Sequence, residues 1–104
     1  MQLRVSSPGT DISQTEIDAV ERDLEKIARR LDGQKESFAR VSINGRGGAP
    51  GFVVTLEVDY GATHLVAKEE HADVGQAVRG AREDILRQIN DRSPRGHSSF
   101  SKGT

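Results

Sequence analysis

The chain is short, lacks cysteine and is close to electrical neutrality. It has 104 residues, with 15 Lys and Arg against 16 Asp and Glu, and 34% of its residues are hydrophobic. This length accommodates one small domain, and the absence of cysteine excludes a disulfide scaffold, a thiolate zinc site and a cysteine nucleophile. No apolar run approaches the roughly 18 residues that cross a bilayer, and the N-terminus lacks a signal peptide's apolar core, which predicts a cytoplasmic protein.

The N-terminal third predicts a strand followed by an amphipathic helix. Residues 2–6 alternate polar and apolar side chains, which is typical of a half-buried strand. Ser13 and Glu16 match a capping box, in which each side chain satisfies the other's backbone N–H. Apolar residues then recur at spacings of three and four, predicting a helix near 14–32: Ile17, Val20, Leu24, Ile27 and Leu31.

The middle of the chain predicts three consecutive strands. Residues 38–44, 52–60 and 63–70 each alternate between an apolar set and a polar set of side chains. The glycine-rich residues 45–51 separate the first two of these strands and predict a loop. Strands joined by short reversals favour antiparallel, hairpin-type pairing.

A second helix and a polar tail follow the strands. Asp73 is a candidate N-cap for a helix near 73–92, and the sequence Ser93-Pro94 predicts its end. The apolar residues of this helix are Val74, Ala77, Val78, Ala81, Ile85 and Ile89. Residues 93–104 predict a flexible tail, the alternative being that Phe100 docks it on the sheet.

The order of these elements predicts an α+β fold. The β-α-β-β-β-α order, with polar side chains at alternate strand positions, predicts a four-stranded sheet whose other face is covered by both helices. We therefore expect a two-layer sandwich over residues 1–92 and a flexible tail over 93–104.

The sequence offers no pattern typical of catalysis or metal binding. His64, His71 and His97 lack a metal-ligand spacing, and no nucleophile motif is present. The segment 45–48 lacks the Lys-Ser/Thr ending of a phosphate-binding loop. It predicts a flexible hairpin loop, with a nucleic-acid backbone contact by Arg46 as the alternative. We therefore expect a non-enzymatic protein with no cofactor, metal, membrane partner or small-molecule substrate.

Basic side chains on the two predicted helices are candidates for binding phosphates. On the first helix they lie opposite the apolar stripe: Arg22, Lys26, Arg29 and Arg30. Arg79 and Arg82 lie together at one edge of the second helix's stripe. Such a surface can bind a nucleic-acid backbone. It is equally compatible with a solvated face, because Asp18, Glu21 and Glu25 balance the charge of the first helix.

Several short segments together resemble a known family. They are Met1-Gln2-Leu3 opening into a strand, Ile12-Ser13 at a helix start, Val20, Leu24, Lys26 and Ile27 within that helix, Leu65-Val66-Ala67 running to His71-Ala72-Asp73-Val74, Ala77-Val78, and Arg87-Gln88-Ile89. In order and spacing they resemble the short form of the ribosome hibernation-promoting factors. This family is also called ribosome-associated inhibitor A, sigma-factor modulation or ribosomal subunit interface proteins. The resemblance covers about residues 1–92.

The resemblance implies a fold similar to double-stranded RNA-binding domains and a role as a stress-response factor. Such a factor binds the small ribosomal subunit and its rRNA in the decoding region and represses translation. Lys26 and Arg29 fall on basic positions of the family's first helix, and Arg87 on one of its second. Together with the helix-face argument, the predicted RNA-binding residues are Arg22, Lys26, Arg29, Arg30, Arg79, Arg82 and Arg87.

Three positions depart from the family pattern. Gly75 stands where the family often has an aromatic residue, and Asp84 and Asp91 lie on a surface that is usually rich in lysine. Added carboxylates repel phosphates. These departures favour an alternative hypothesis, in which the chain is a protein-interaction module on the same fold that has lost ribosome binding and regulates another factor.

Overall fold

The computed structural model of the chain describes residues 1–8, 10–34, 36–46 and 50–92. These residues form four strands and two helices: β1 (Gln2–Ser6), α1 (Gln14–Arg30), β2 (Ser37–Gly45), β3 (Phe52–Tyr60), β4 (Thr63–His71) and α2 (Val74–Arg92). The predicted order and α+β class are confirmed. The predicted flexible tail, with its alternative of Phe100 docking, lies outside the described residues, as does the centre of the glycine-rich loop.

The sheet has the order β1-β2-β3-β4 and mixed strand directions. β2, β3 and β4 pair in antiparallel fashion, as predicted. β1 pairs parallel to β2, with Gln2 opposite Phe38. The parallel pairing follows from the connection, because α1 carries the chain back along the sheet before β2 begins.

The core lies between one face of the sheet and the two helices. Its buried side chains are Val20, Leu24, Ile27, Leu31, Ala39, Val41, Ile43, Val54, Leu56, Val58, Leu65, Ala67, Val74, Ala77, Val78, Ala81, Ile85 and Ile89. The strand members alternate with exposed or half-buried polar residues such as Arg40, Thr55 and Lys68. Both helices therefore cover the same face, and the opposite face is open to solvent, as the alternation predicted.

Both helices begin at the predicted caps. The Ser13 hydroxyl accepts a hydrogen bond from the Glu16 backbone N–H at 3.1 Å, and Glu16 Oε1 accepts from the Ser13 backbone N–H at 3.1 Å. At α2, the Gln76 backbone N–H donates to Asp73 Oδ2 at 3.0 Å. These bonds satisfy backbone donors that have no partner inside the helix and fix where the two helices start.

Candidate nucleic-acid interface

The helical layer presents four of the predicted cations to solvent without an ion-pair partner among the described residues. Arg22, Lys26 and Arg29 extend from the outer surface of α1, and Arg79 extends from α2. Their exposure follows from the helical period, which places them away from the buried stripe of Val20, Leu24 and Ile27. Each of these four side chains has its charge available for a ligand.

Two further predicted cations are exposed but already engaged. Arg30 Nε donates to Asn90 Oδ1 at 3.0 Å and so connects the C-terminal ends of α1 and α2. Arg87 Nη2 lies 3.6 Å from Asp84 Oδ1, one turn earlier on α2. An exposed pair of this kind is worth only a few tenths of a kcal/mol, so a phosphate can compete for Arg87 at little cost.

Arg82 differs from the other predicted cations because it is buried, with 6% of its surface exposed. Its Nη1 donates to Asp23 Oδ1 on α1 at 3.0 Å, and its Nη2 and Nε donate to Glu83 Oε2 at 2.7 and 3.1 Å. The sequence-based prediction treated Arg82 as a surface cation that binds phosphate, whereas the structure buries it. It stands at the edge of the apolar stripe of α2, and α1 packs over that edge.

The carboxylate of Glu83 lies in a locally positive environment. Its pKa is lowered, chiefly by the hydrogen bond from Arg82, with partial burial opposing the shift and the charges of Arg82, Lys26 and Arg87 adding to it. Lys26 belongs to α1 and Arg87 to α2, so cations of both helices act on one carboxylate. Lys26 and Arg87 therefore both lie near the line along which α1 packs against α2, which we call the α1–α2 seam.

The helical layer as a whole is not positive. α1 and α2 together carry eight acidic and eight basic side chains. The positive character is local and depends on which carboxylates are already engaged. Asp23 and Glu83 are paired with Arg82. Other carboxylates make no ion pair among the described residues and remain on the same two helices as the unpaired cations, among them Glu21, Glu25 and Asp91.

The open face of the sheet carries a second set of charges, most of them paired internally. Arg40 Nη1 lies 2.6 Å from Glu57 Oε1, and its guanidinium lies over the Phe38 ring at 5.2 Å. Arg4 and Lys68 are exposed there without an ion-pair partner in the described ranges. The sequence-based prediction did not single out these two residues, and they provide a matched comparison for the helical cations.

The glycine-rich loop and the histidines occupy positions of their own. Arg46 donates to the Pro50 carbonyl at 3.2 Å and lies 3.4 Å from Glu70, which ties the start of the loop to β4. His64 Nδ1 lies 2.5 Å from Asp59 Oδ1 across the β3–β4 hairpin. Within the described part of the chain, no group of three or more His, Asp or Glu side chains is arranged to hold a metal ion.

Neither α1 nor α2 is long and apolar enough to span a membrane, and this holds for every helix in the described ranges.

The fold is shared with two solved structures. The N-terminal domain of Protein Y from Thermus thermophilus is 23% identical, with a TM-score of 0.73, covering 86% of this chain and 96% of that one. A ribosomal subunit interface protein from Coxiella burnetii is 18% identical, with a TM-score of 0.75, covering 88% of this chain and 96% of that one. No protein-family model and no curated protein sequence matches the chain. The resemblance predicted from the sequence is confirmed at the level of the fold.

Proposed function

We propose that this chain associates with the ribosome, binding the small subunit and its rRNA in the decoding region and repressing translation as a stress factor. The observation that carries the proposal is the set of exposed, unpaired cations on α1 and α2. They stand on a fold that the chain shares with a ribosomal subunit interface protein. The sequence resemblance to the hibernation-promoting factors supports the same assignment.

The chemistry of the helical cations suits the RNA backbone. Arginine presents a planar fork of donors that matches phosphate oxygens, and lysine presents a compact charge. Each phosphate neutralised releases condensed counterions, so binding weakens as the salt concentration rises. In this proposal Arg22, Lys26, Arg29 and Arg79 contact phosphates directly, with Arg30 and Arg87 at the margins.

Arg82 has a different role in this proposal. Each of its three nitrogens donates to Asp23 or Glu83, so it holds α1 against α2 and positions the cations of both helices relative to one another. A fixed spacing matters because phosphates along a folded RNA are themselves fixed. Repression then requires no catalysis, because a folded domain seated in the decoding region occupies space needed by messenger and transfer RNA.

The test is co-sedimentation of the protein with purified small subunits, with and without a bound messenger and transfer RNA. We expect one protein per empty subunit, reduced recovery on subunits already carrying both RNAs, and inhibition of a reconstituted translation reaction at stoichiometric protein. Equal recovery on empty and loaded subunits would contradict the decoding-region site. No recovery at low salt would contradict ribosome association altogether.

The charge balance of the helical layer favours a second candidate, the protein-interaction module. Asp84 and Asp91 add negative charge to α2, and Asp84 already holds Arg87. If the basic surface binds rRNA, Asp84→Lys should tighten subunit binding, because it adds a cation and also releases Arg87. Asp91→Lys should tighten it to a smaller degree. If the parent shows no salt-sensitive binding to subunits and neither variant produces it, the interaction module is the better assignment.

A further inference from the structure

A groove of about 370 Å³ lies on the α1–α2 seam, beside the N-terminal half of each helix. Its floor is apolar and is formed by Val20 of α1 with Val74 and Val78 of α2. Arg22 and Arg79 lie along its rim, one from each helix. The volume is near the lower end of the roughly 300–1,000 Å³ typical of small-molecule sites.

Small side chains keep the groove open. Ala19 lines it from α1, and Gly75 lines it from α2. A Cβ placed on Gly75 would meet only the Asp73 carboxylate, at 3.2 Å. The groove therefore exists because two positions that a larger side chain could fill are occupied by alanine and glycine.

Two of the charged side chains around the groove, both arginines, can bind an anionic or electron-rich occupant. Three carboxylates also line it. Asp23 is paired with Arg82 at 3.0 Å. By contrast, Glu16 and Asp73 accept hydrogen bonds from neutral backbone N–H groups, at 3.1 and 3.0 Å, and keep their negative charge. The two rim arginines make neither an ion pair nor a side-chain hydrogen bond among the described residues. Their donors and their planar faces are available.

We propose that this groove accommodates the base of one unpaired RNA nucleotide, with its flanking phosphates held by Arg22 and Arg79. Protein recognition of RNA commonly uses unpaired bases that stack on aromatic rings or on arginine guanidinium planes. The groove has no aromatic residue in its lining, but it has an apolar floor for the base and two arginines in its lining for the phosphates. This inference rests on the proposed function, because the RNA is that of the small subunit.

The test fills the groove without changing its charge. Ala19→Leu and Gly75→Leu each place a branched side chain in the groove, and leucine is a good helix former. The matched control is Gln76→Leu, which adds the same side chain at an exposed position of α2 outside the groove lining. Thermal melts of all three variants verify that each is folded at the temperature of the assay.

The measurement is chemical probing of small-subunit rRNA, using dimethyl sulfate for base edges and hydroxyl radicals for the backbone. With the parent and with Gln76→Leu, we expect protection of an unpaired base together with protection of the backbone around it. With either groove-filling variant, that base should regain the reactivity it has in the free subunit while backbone protection persists. Subunit affinity should fall at least about fivefold, which is the lower end of what one stacked base contributes.

The outcomes separate this inference from the proposed function. Identical base protection by parent and groove-filling variants would overturn the groove assignment and leave ribosome binding intact. A loss of affinity with no base whose protection depends on the groove would show that a protein side chain occupies it, which also overturns the assignment. No protection of any kind by the parent would overturn both.

Discussion

Arg82 of α2 donates a hydrogen bond from its Nη1 to Oδ1 of Asp23 on α1, across 3.0 Å and 59 residues of sequence. Its Nε and Nη2 donate to Glu83 Oε2. One buried arginine thus joins the two helices that carry the candidate RNA-binding surface. In the sequence Arg82 resembles the surface cations, but in the fold it is part of the packing between the helices.

Replacing Arg82 by methionine should destabilise the fold. Methionine keeps much of the aliphatic volume but leaves the Asp23 carboxylate, 29% exposed, without its partner. Because Asp23 retains some contact with water, we expect a loss of about 1–3 kcal/mol, below the cost of breaking a fully buried pair. Chemical denaturation measures this loss. Arg79→Met removes the same charge from an exposed position and should change stability by less than about 0.5 kcal/mol. Equal stabilities would show that the Arg82 contacts contribute nothing.

The Arg82–Glu83 contact predicts a pH dependence of stability. The hydrogen bond from Arg82 lowers the pKa of Glu83 in the folded protein. A group whose pKa is lowered on folding stabilises the protein above its unfolded pKa, and the effect disappears as the pH falls through the folded pKa. Glu83→Gln should therefore melt below the parent at neutral pH, and the difference should shrink in acid. In an Arg82→Met background the pH dependence of the same substitution should be much smaller, with only Lys26 and Arg87 left to lower the pKa of Glu83; if it is undiminished, Arg82 is not the main cause.

The unpaired helical cations should dominate the salt dependence of subunit binding. Replacing Arg22 and Arg79 together by alanine removes two phosphate contacts and should reduce the slope of log affinity against log salt by about two. The control is the double variant Arg4→Ala, Lys68→Ala, which removes two cations from the open face of the sheet and should leave the slope at the parental value. Titrations over a salt series provide both slopes. A larger effect from the sheet variant would place the RNA on the opposite face.

Gly51, immediately before β3, should not tolerate a side chain. Its φ of +107° disfavours any residue with a Cβ, and a Cβ there would lie 2.7 Å from the His71 carbonyl oxygen. Gly51→Ala should cost about 1–3 kcal/mol. Gly33 has a similar φ of +101° and open space around it. Gly33→Ala therefore measures the cost of the positive φ without a steric collision. If the two substitutions cost the same in denaturation experiments, the collision with β4 is relieved by a small backbone shift.

The fold was predictable because its determinants are local. The capping pair Ser13 and Glu16, and the alternation that turns Val41 and Ile43 inward, act within a few residues. The candidate site was predictable only in part. Helical period alone places Arg22 and Lys26 in solvent, but the burial of Arg82 depends on where α1 crosses α2, and its partner Asp23 is far away in sequence. No local pattern encodes such a crossing.

The chain entropy lost when the strands pair differs greatly between the two edges of the sheet. Thr63 pairs with Tyr60 across a tight reversal. Gln2 pairs with Phe38, and the whole of α1 separates these two residues along the chain. Closing the longer loop costs more chain entropy, and β1 has five residues and a single neighbouring strand with which to offset that cost. β1 should therefore dock late in folding, and its amides should exchange with solvent sooner than those of β3. Tension applied at the N-terminus would detach β1 first and leave the β2–β4 meander packed under α2.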